Sequence, residues 1–181
     1  MGLVTKIISG GQIGADIAGL RAGARLGIET GGWMPPGFKT KTGNHPEYAE
    51  LYGVQEHECL GYPPRTFSNV EESDATIRFA YDFSSPGELC TLRAIETFSK
   101  PHIDVSLEEH PDAENTYYIS TMSVSTGQQW LINNSEIAVI NVAGNAHVGV
   151  EAAVENFMYR LVSRHNNWFR SNFPELVNQD E

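Results

Sequence analysis

Lys6-Ile7-Ile8-Ser9-Gly10-Gly11-Gln12-Ile13-Gly14-Ala15-Asp16 reads as a buried strand, a glycine turn and the start of a helix, which Ala18, Leu20 and Ala24 carry on toward Gly31-Gly32-Trp33. A chain that leaves a strand and enters a helix this sharply needs backbone freedom and room beside the main chain, and Ser9, Gly10, Gly11 and Gly14 supply both. The helix is expected to begin near Ile13. Its unpaired N–H groups and positive dipole end would then face the crevice above the strand, a setting that suits phosphate or another anion. Asp16 falls in that first turn, where its carboxylate is favoured by the dipole but repels an anion lying directly over it. It can instead take a ribose hydroxyl or an amine. The alternative is a tight strand-to-helix turn with nothing bound. The spacing is not Gly-x-Gly-x-x-Gly and there is no Gly-Lys-Thr/Ser, so neither a standard dinucleotide fingerprint nor a P-loop is present.

The rest of the chain continues the pattern. Gly27–Gly32 reads as a short second strand, and Trp33 through Gly53, rich in Gly, Pro, Asn and Lys, reads as a long irregular loop of the kind that forms a lid or binding loop. Trp33 can stack on a flat ring or plug a core edge. Lys39 and Lys41 can hold a phosphate or simply keep the loop soluble. His45, Glu47, Glu50, Glu56, His57 and Glu58 follow without any His-x-x-x-His pair or cysteine cluster, which reads as a solvated acidic face, and no metal site is expected.

Pro64–Asp74 reads as a short helix before a strand at Ala75–Ala80, and Arg65 and Asn69, four apart, share one face of that helix. Tyr81–Gly87 followed by a helical pattern over Glu88–Ser99 makes a second strand-turn-helix unit, which brings a second helix N-terminus to the same edge. Ser84 and Ser85 can donate hydroxyls to a ligand there, or serve as ordinary capping residues. A strand at Lys100–Val105, a polar loop over Ser106–Thr116, a short strand at Tyr117–Ile119 and a helix over Gly127–Asn134 capped by Ser125-Thr126 come next. Ile137–Val142 is a fully buried strand ending in the turn Ala143-Gly144-Asn145, and a helix over Val148–His165 closes the sheet. Residues 1–165 are thus expected to form one domain. The aromatic tail 166–181 either packs back on it or makes the contact of a homo-oligomer.

The 181 residues carry twelve basic and twenty-three acidic side chains, for a net charge of −11. Such a field opposes generic binding to nucleic acid or to an anionic membrane surface, and leaves a small ligand or a protein as the expected partner. The first residues lack the apolar core of a signal peptide and no later run is long enough to cross a membrane, so a cytoplasmic location is expected. Cys59 and Cys90 are too few for a disulfide framework and read as reduced thiols.

Three blocks also match a family pattern. Ser9-Gly10-Gly11-Gln12-x-Gly14-x-Asp16 with Leu26-Gly27-Ile28-x-Thr30-Gly31-Gly32-Trp33-x-Pro35-x-Gly37, then Arg65-Thr66-x-x-Asn69-Val70 with Ser73-Asp74-Ala75-Thr76, then Asn141-Val142-Ala143-Gly144, occur in order. Together they resemble the molybdenum-carrier family of the SLOG superfamily, the group that includes the lonely-guy phosphoribohydrolases. The resemblance implies an α/β, Rossmann-like three-layer domain with a mainly parallel sheet and a ligand crevice at the carboxyl edge of its strands. Gly87 and Thr91 fall where the family and its relatives carry a glycine-rich, Thr-containing phosphate turn, and Gly144 and Asn145 form the third turn at that edge. The chain departs from the family at Ile13, Ile17, Pro36, Phe38 and Asn145-Ala146, where hydroxyl or basic groups are usual.

Two functions follow from the resemblance. One is non-catalytic binding, by a carrier or a sequestering protein, of a small nucleotide-like or phosphate-bearing molecule of the molybdenum-cofactor kind, with the cofactor's identity left open. The other is hydrolysis of an N-glycosidic or phosphate bond, which needs a carboxylate and a positioned water or arginine. Asp16, Glu88 and Arg65 are the side chains available for that chemistry, and no pair among them is fixed by spacing.

Overall fold

The computed structural model describes residues 2–177. In chain order the elements are β1 (Lys6–Ser9), α1 (Ala15–Leu26), β2 (Glu29–Met34), β3 (Lys39–Thr40), β4 (Gly43–Asn44), α2 (Glu47–Tyr52), β5 (Val54–Glu56), α3 (Tyr62–Glu71) and β6 (Ala75–Ala80). They continue with α4 (Pro86–Phe98), β7 (His102–Glu109), β8 (Tyr117–Ile119), α5 (Val124–Asn133), β9 (Val139–Gly144), α6 (Glu151–Asn172) and α7 (Pro174–Val177).

Seven strands form one sheet in the order β5-β2-β1-β9-β6-β7-β8, parallel throughout except for the β7–β8 pair. Parallel strands need crossovers, and a parallel sheet must be covered on both faces, which is why Ile7, Ile77, Phe79, Ile140 and Val142 are all fully or almost fully buried. On one face α1, α5 and α6 pack through Ala15, Ala18, Ala22, Leu131, Val154, Met158 and Leu161. On the other, α3 and α4 close around Val70, Ala94 and Ile95, with the Phe67 and Phe98 rings edge to face. This is the expected three-layer, Rossmann-like α/β architecture. Because every parallel strand points the same way, the ends of β1, β6 and β9 and the starts of α1 and α4 meet at one edge.

Several local expectations shift. The loop after Trp33 is not irregular: its middle forms the β3–β4 hairpin and α2, the latter ended by Gly53 in the left-handed conformation. Polar sequence hid these elements because none of them buries an apolar face of any length. The first strand after Lys100 runs on to Glu109, through residues expected to be loop, because Ser106 and Glu108 alternate with the buried Val105 and Leu107. Helix α5 begins earlier than expected and is capped by Ser123, whose Oγ accepts from the Thr126 N–H at 3.1 Å, rather than by Ser125-Thr126.

The boundary expected after His165 falls inside α6, which continues two turns further. Asn166 and Phe169 are buried there, and the Asn166 side chain accepts from the Val4 N–H at 2.9 Å and donates to the Val4 carbonyl at 2.8 Å. The aromatic stretch up to Asn172 therefore packs back on the domain, and residues 178–181 lie outside the described ones. No helix among the described residues is long and apolar enough to cross a membrane.

Candidate functional site

The carboxyl edge of the sheet holds a cavity of about 440 Å³. Its walls come from the ends of β1 and β9, the start of α4, one face of α3 and the tip of the β3–β4 hairpin. Tyr62, Arg65, Thr66 and Asn69 line it at the spacing i, i+3, i+4, i+7, a helical stripe in which polar groups occupy the inward face.

Asp16 and Arg65 form the best-buried ion pair at this edge. The Arg65 Nη1 lies 3.3 Å from the Asp16 Oδ2, with side chains 12% and 5% exposed. The guanidinium passes directly over Gly10, where a Cβ would overlap it. Gly10 is therefore required for a close approach of an internal side chain, and its role in the turn is to admit Arg65. Desolvation raises the Asp16 pKa, against the lowering effects of Arg65 and of N–H groups from Gln12 and Gly144.

The start of α1 is likewise satisfied from within. The Gly14 N–H donates to the Glu151 Oε1 at 3.2 Å, the Gln12 N–H reaches the Asp16 Oδ2 at 3.4 Å, and the Ile13 N–H reaches the Gln12 Oε1 at 3.1 Å. The anion that the sequence places above this helix is supplied by the protein's own carboxylates. Three of the N–H groups that the sequence offers to a phosphate at this turn thus have partners within the chain.

The second unit is built differently. Ser85, with extended backbone, caps α4 without a side-chain hydrogen bond, and Ser85, Pro86, Gly87 and Glu88 all line the cavity. A Cβ on Gly87 would meet nothing within 4 Å. Glu88 is 2% exposed; its Oε1 accepts from the Asn145 Nδ2 at 3.4 Å, while its Oε2 is buried without any partner. Burial pushes its pKa up to about 8, with Asp16, Asp104 and Asp82 raising it further and Arg78 opposing. Arg78 is itself engaged, donating to Asp104 through Nε at 2.8 Å and through Nη2, and to the Glu88 carbonyl at 3.1 Å.

Asn145 links the third turn to the second, its Oδ1 accepting from the N–H groups of Tyr81 and Asp82 at 2.8 and 3.1 Å. Across the mouth, the Lys41 N–H donates to the Gln12 Oε1 at 2.8 Å and the Lys41 Nζ to the Ala146 carbonyl at 3.2 Å, so the hairpin is fastened to both sides of the opening.

Of the residues singled out in the sequence, Gln12, Asp16, Arg65, Asn69, Ser85, Gly87, Thr91, Gly144 and Asn145 are brought together around this cavity. Ser9, Gly10, Gly11 and Gly14 lie behind its wall; a Cβ on Gly11 would strike Met34. Trp33 lies outside: its Nε1 donates to the Glu72 Oε1 at 2.8 Å, and its backbone exchanges two hydrogen bonds with the Asn69 side chain. Lys39 is exposed on the hairpin, and Lys41 lines the cavity in its place. Ser84 is held by Asp82, to which its Oγ donates at 2.6 Å. Tyr62, Thr66, Tyr81, Glu88, Asn141 and Ala146 also line the cavity, with Pro63, Pro86, Cys90 and Ala143. A helix started at Tyr62 rather than Pro64 would have put Tyr62 and Thr66 on the stripe of Arg65 and Asn69; Asn141 opens the third family block, and no local pattern marks Tyr81.

Fold and cavity together define a Rossmann-like α/β domain with a crevice at the carboxyl edge of a parallel sheet. Residues 7–164 match the model of the circularly permutated YpsA SLOG family, and the chain belongs to that family. It is similar to the crystal structure of a putative molybdenum carrier protein from Syntrophus aciditrophicus SB, with a TM-score of 0.69 and 28% identity over 90% of this chain and 94% of that one. No curated protein matches the sequence.

Proposed function

We propose that this chain binds, without turning over, a small nucleotide-like or phosphate-bearing molecule in the cavity at the carboxyl edge, as a carrier or sequestering protein. The observation that carries this reading is the commitment of the charged groups to one another. Asp16 is paired with Arg65 and Arg78 with Asp104, so the cavity offers a shaped polar lining in which neither arginine is free to act on a bond beside Glu88. The likeness to a molybdenum carrier supports a cargo of the molybdenum-cofactor kind. Native mass spectrometry of the protein as purified from cells tests the proposal. A retained small molecule that is released unchanged on denaturation is expected, and a chain carrying no such mass overturns it.

One observation favours the hydrolase as second reading: Glu88, held protonated near neutral pH, has the pKa of a general acid. Incubation with adenosine 5′-monophosphate, with chromatography for adenine and phosphate, separates the two. The binder releases neither above the uncatalysed rate.

A further inference from the structure

Two buried atoms around the cavity have no hydrogen-bond partner. The Arg65 Nε is a donor, and the Glu88 Oε2 carries the carboxyl proton in the neutral form, Oε1 being the acceptor of Asn145, and becomes an acceptor on ionisation. A buried group left unsatisfied costs about 1–3 kcal/mol, so atoms of this kind persist where something else completes them. Asn145 is fixed by Tyr81, Asp82 and the Asp82 carbonyl, and the Arg65 Nη1 is held by Asp16.

The surroundings of Glu88 also say what does not belong beside it. Asp16 faces it from α1, Asp82 from the turn after β6 and Asp104 from β7; Arg78, on β6, is already engaged by Asp104. Arg65 on α3 is spent on Asp16, and Cys90, on the same helix as Glu88, is a free thiol. An anion at this depth would meet the Asp16 carboxylate, whose countercharge is taken, and the Glu88 carboxyl, with Asp82 and Asp104 adding negative field from outside the lining. The free cation of the lining, Lys41, lies at the exposed mouth, and the rings of Tyr62 and Tyr81, 40% and 50% exposed, stand at the walls.

We infer that Glu88 reads the base of the ligand: its unpartnered oxygen accepts an N–H of an amino-substituted nitrogen heterocycle that also presents an acceptor toward Arg65, and any phosphate stays at the mouth beside Lys41. The heterocycle enters base first, flat between the tyrosine walls. This rests on the proposed binding function and adds the chemical class and the orientation. An N–H is accepted best by the ionised carboxylate. Glu88 is protonated near neutral pH, so binding must release its proton to solvent.

The probe is guanosine, which carries adjacent N–H donors and a carbonyl acceptor but no phosphate, with ribose 5-phosphate as its complement. Calorimetric titrations of the whole chain in Pipes and in Tris at pH 7 give the number of protons released, and titrations at pH 6.5 and 8 give the pH dependence. For guanosine, release approaching one proton is expected, with affinity rising roughly tenfold between the two pH values, as follows for a group titrating near 8. Both effects should vanish in Glu88→Gln, whose folding is checked by its melting curve. Guanosine binding that shows neither proton release nor pH dependence in the original protein overturns the Glu88 assignment and leaves the binding function standing. Binding of ribose 5-phosphate without guanosine does the same. Failure of both probes to bind overturns the nucleotide-like ligand and this inference with it.

Discussion

The two strand-turn-helix units at the carboxyl edge carry similar sequence marks and do opposite things. At the end of β1 the glycines are rich and the turn is full: Arg65 lies over Gly10, Glu151 takes the Gly14 N–H, and Asp16 takes the Gln12 N–H. At the end of β6 the turn is poor in glycine and open, with Ser85, Pro86 and Gly87 facing the cavity and Glu88 holding an unspent oxygen. A glycine at such a turn marks a close approach, and the approaching group can be part of the same chain.

The comparison breaks most severely if the closed unit loses its internal cation. Replacing Arg65 by Met should leave the buried Asp16 carboxyl without its countercharge and cost about 3–5 kcal/mol in urea unfolding. A second change, Asp16→Asn, should recover part of that loss, and a double cycle without coupling would show that the pair does not hold the turn.

The open unit is tested by pH. Glu88 keeps its proton in the folded state up to about 8, whereas an unfolded glutamate gives it up near its ordinary value of 4.5. Between those limits the folded state binds more protons, so stability falls as pH rises, by at most about 1.4 kcal/mol per unit from this group. Unfolding curves at pH 5, 6, 7 and 8 should show the slope flattened in Glu88→Gln, which should exceed the original protein in stability at pH 8.

A smaller effect is expected at the start of α1. Glu151→Ala removes the acceptor of the Gly14 and Gly149 N–H groups and should cost about 0.5–2 kcal/mol, the usual range for a lost cap. The smallest is Gly87→Ala, where a methyl meets nothing; stability should stay within about 0.5 kcal/mol. A large loss there would mean that the second turn is as tightly filled as the first.

The fold was legible because it rests on period and punctuation: apolar strands at Lys6–Ser9 and Ala75–Ala80, each followed by a turn and a helical pattern, dictate a parallel sheet with helices on both faces. About half of the cavity was legible for the same reason, since its positions follow from where strands end. What could not be read was which group fills the glycine turn. Arg65 reaches Asp16 from 49 residues away in sequence, a distance fixed only by how α3 packs across β2. Lys39 sits on the short strand β3 and Lys41 in the turn that follows it, and nothing in the polar loop said which of them reaches the cavity. Trp33 could be read as a stacking surface or a core plug, and the choice depended on Asn69 of α3 and Glu72 just past its end, which claim its backbone and its indole N–H.

The inner strand β1 has β2 on one side, next in the chain, and β9 on the other, which is synthesised on the order of a hundred residues later, roughly ten seconds at ordinary translation rates. During that interval Ile7 and Ile8 present an open strand edge, and the Asn166 clasp on Val4 is still unmade. The nascent chain therefore passes through a stage in which an inner strand of its sheet is half paired, an edge open to association until β9 arrives.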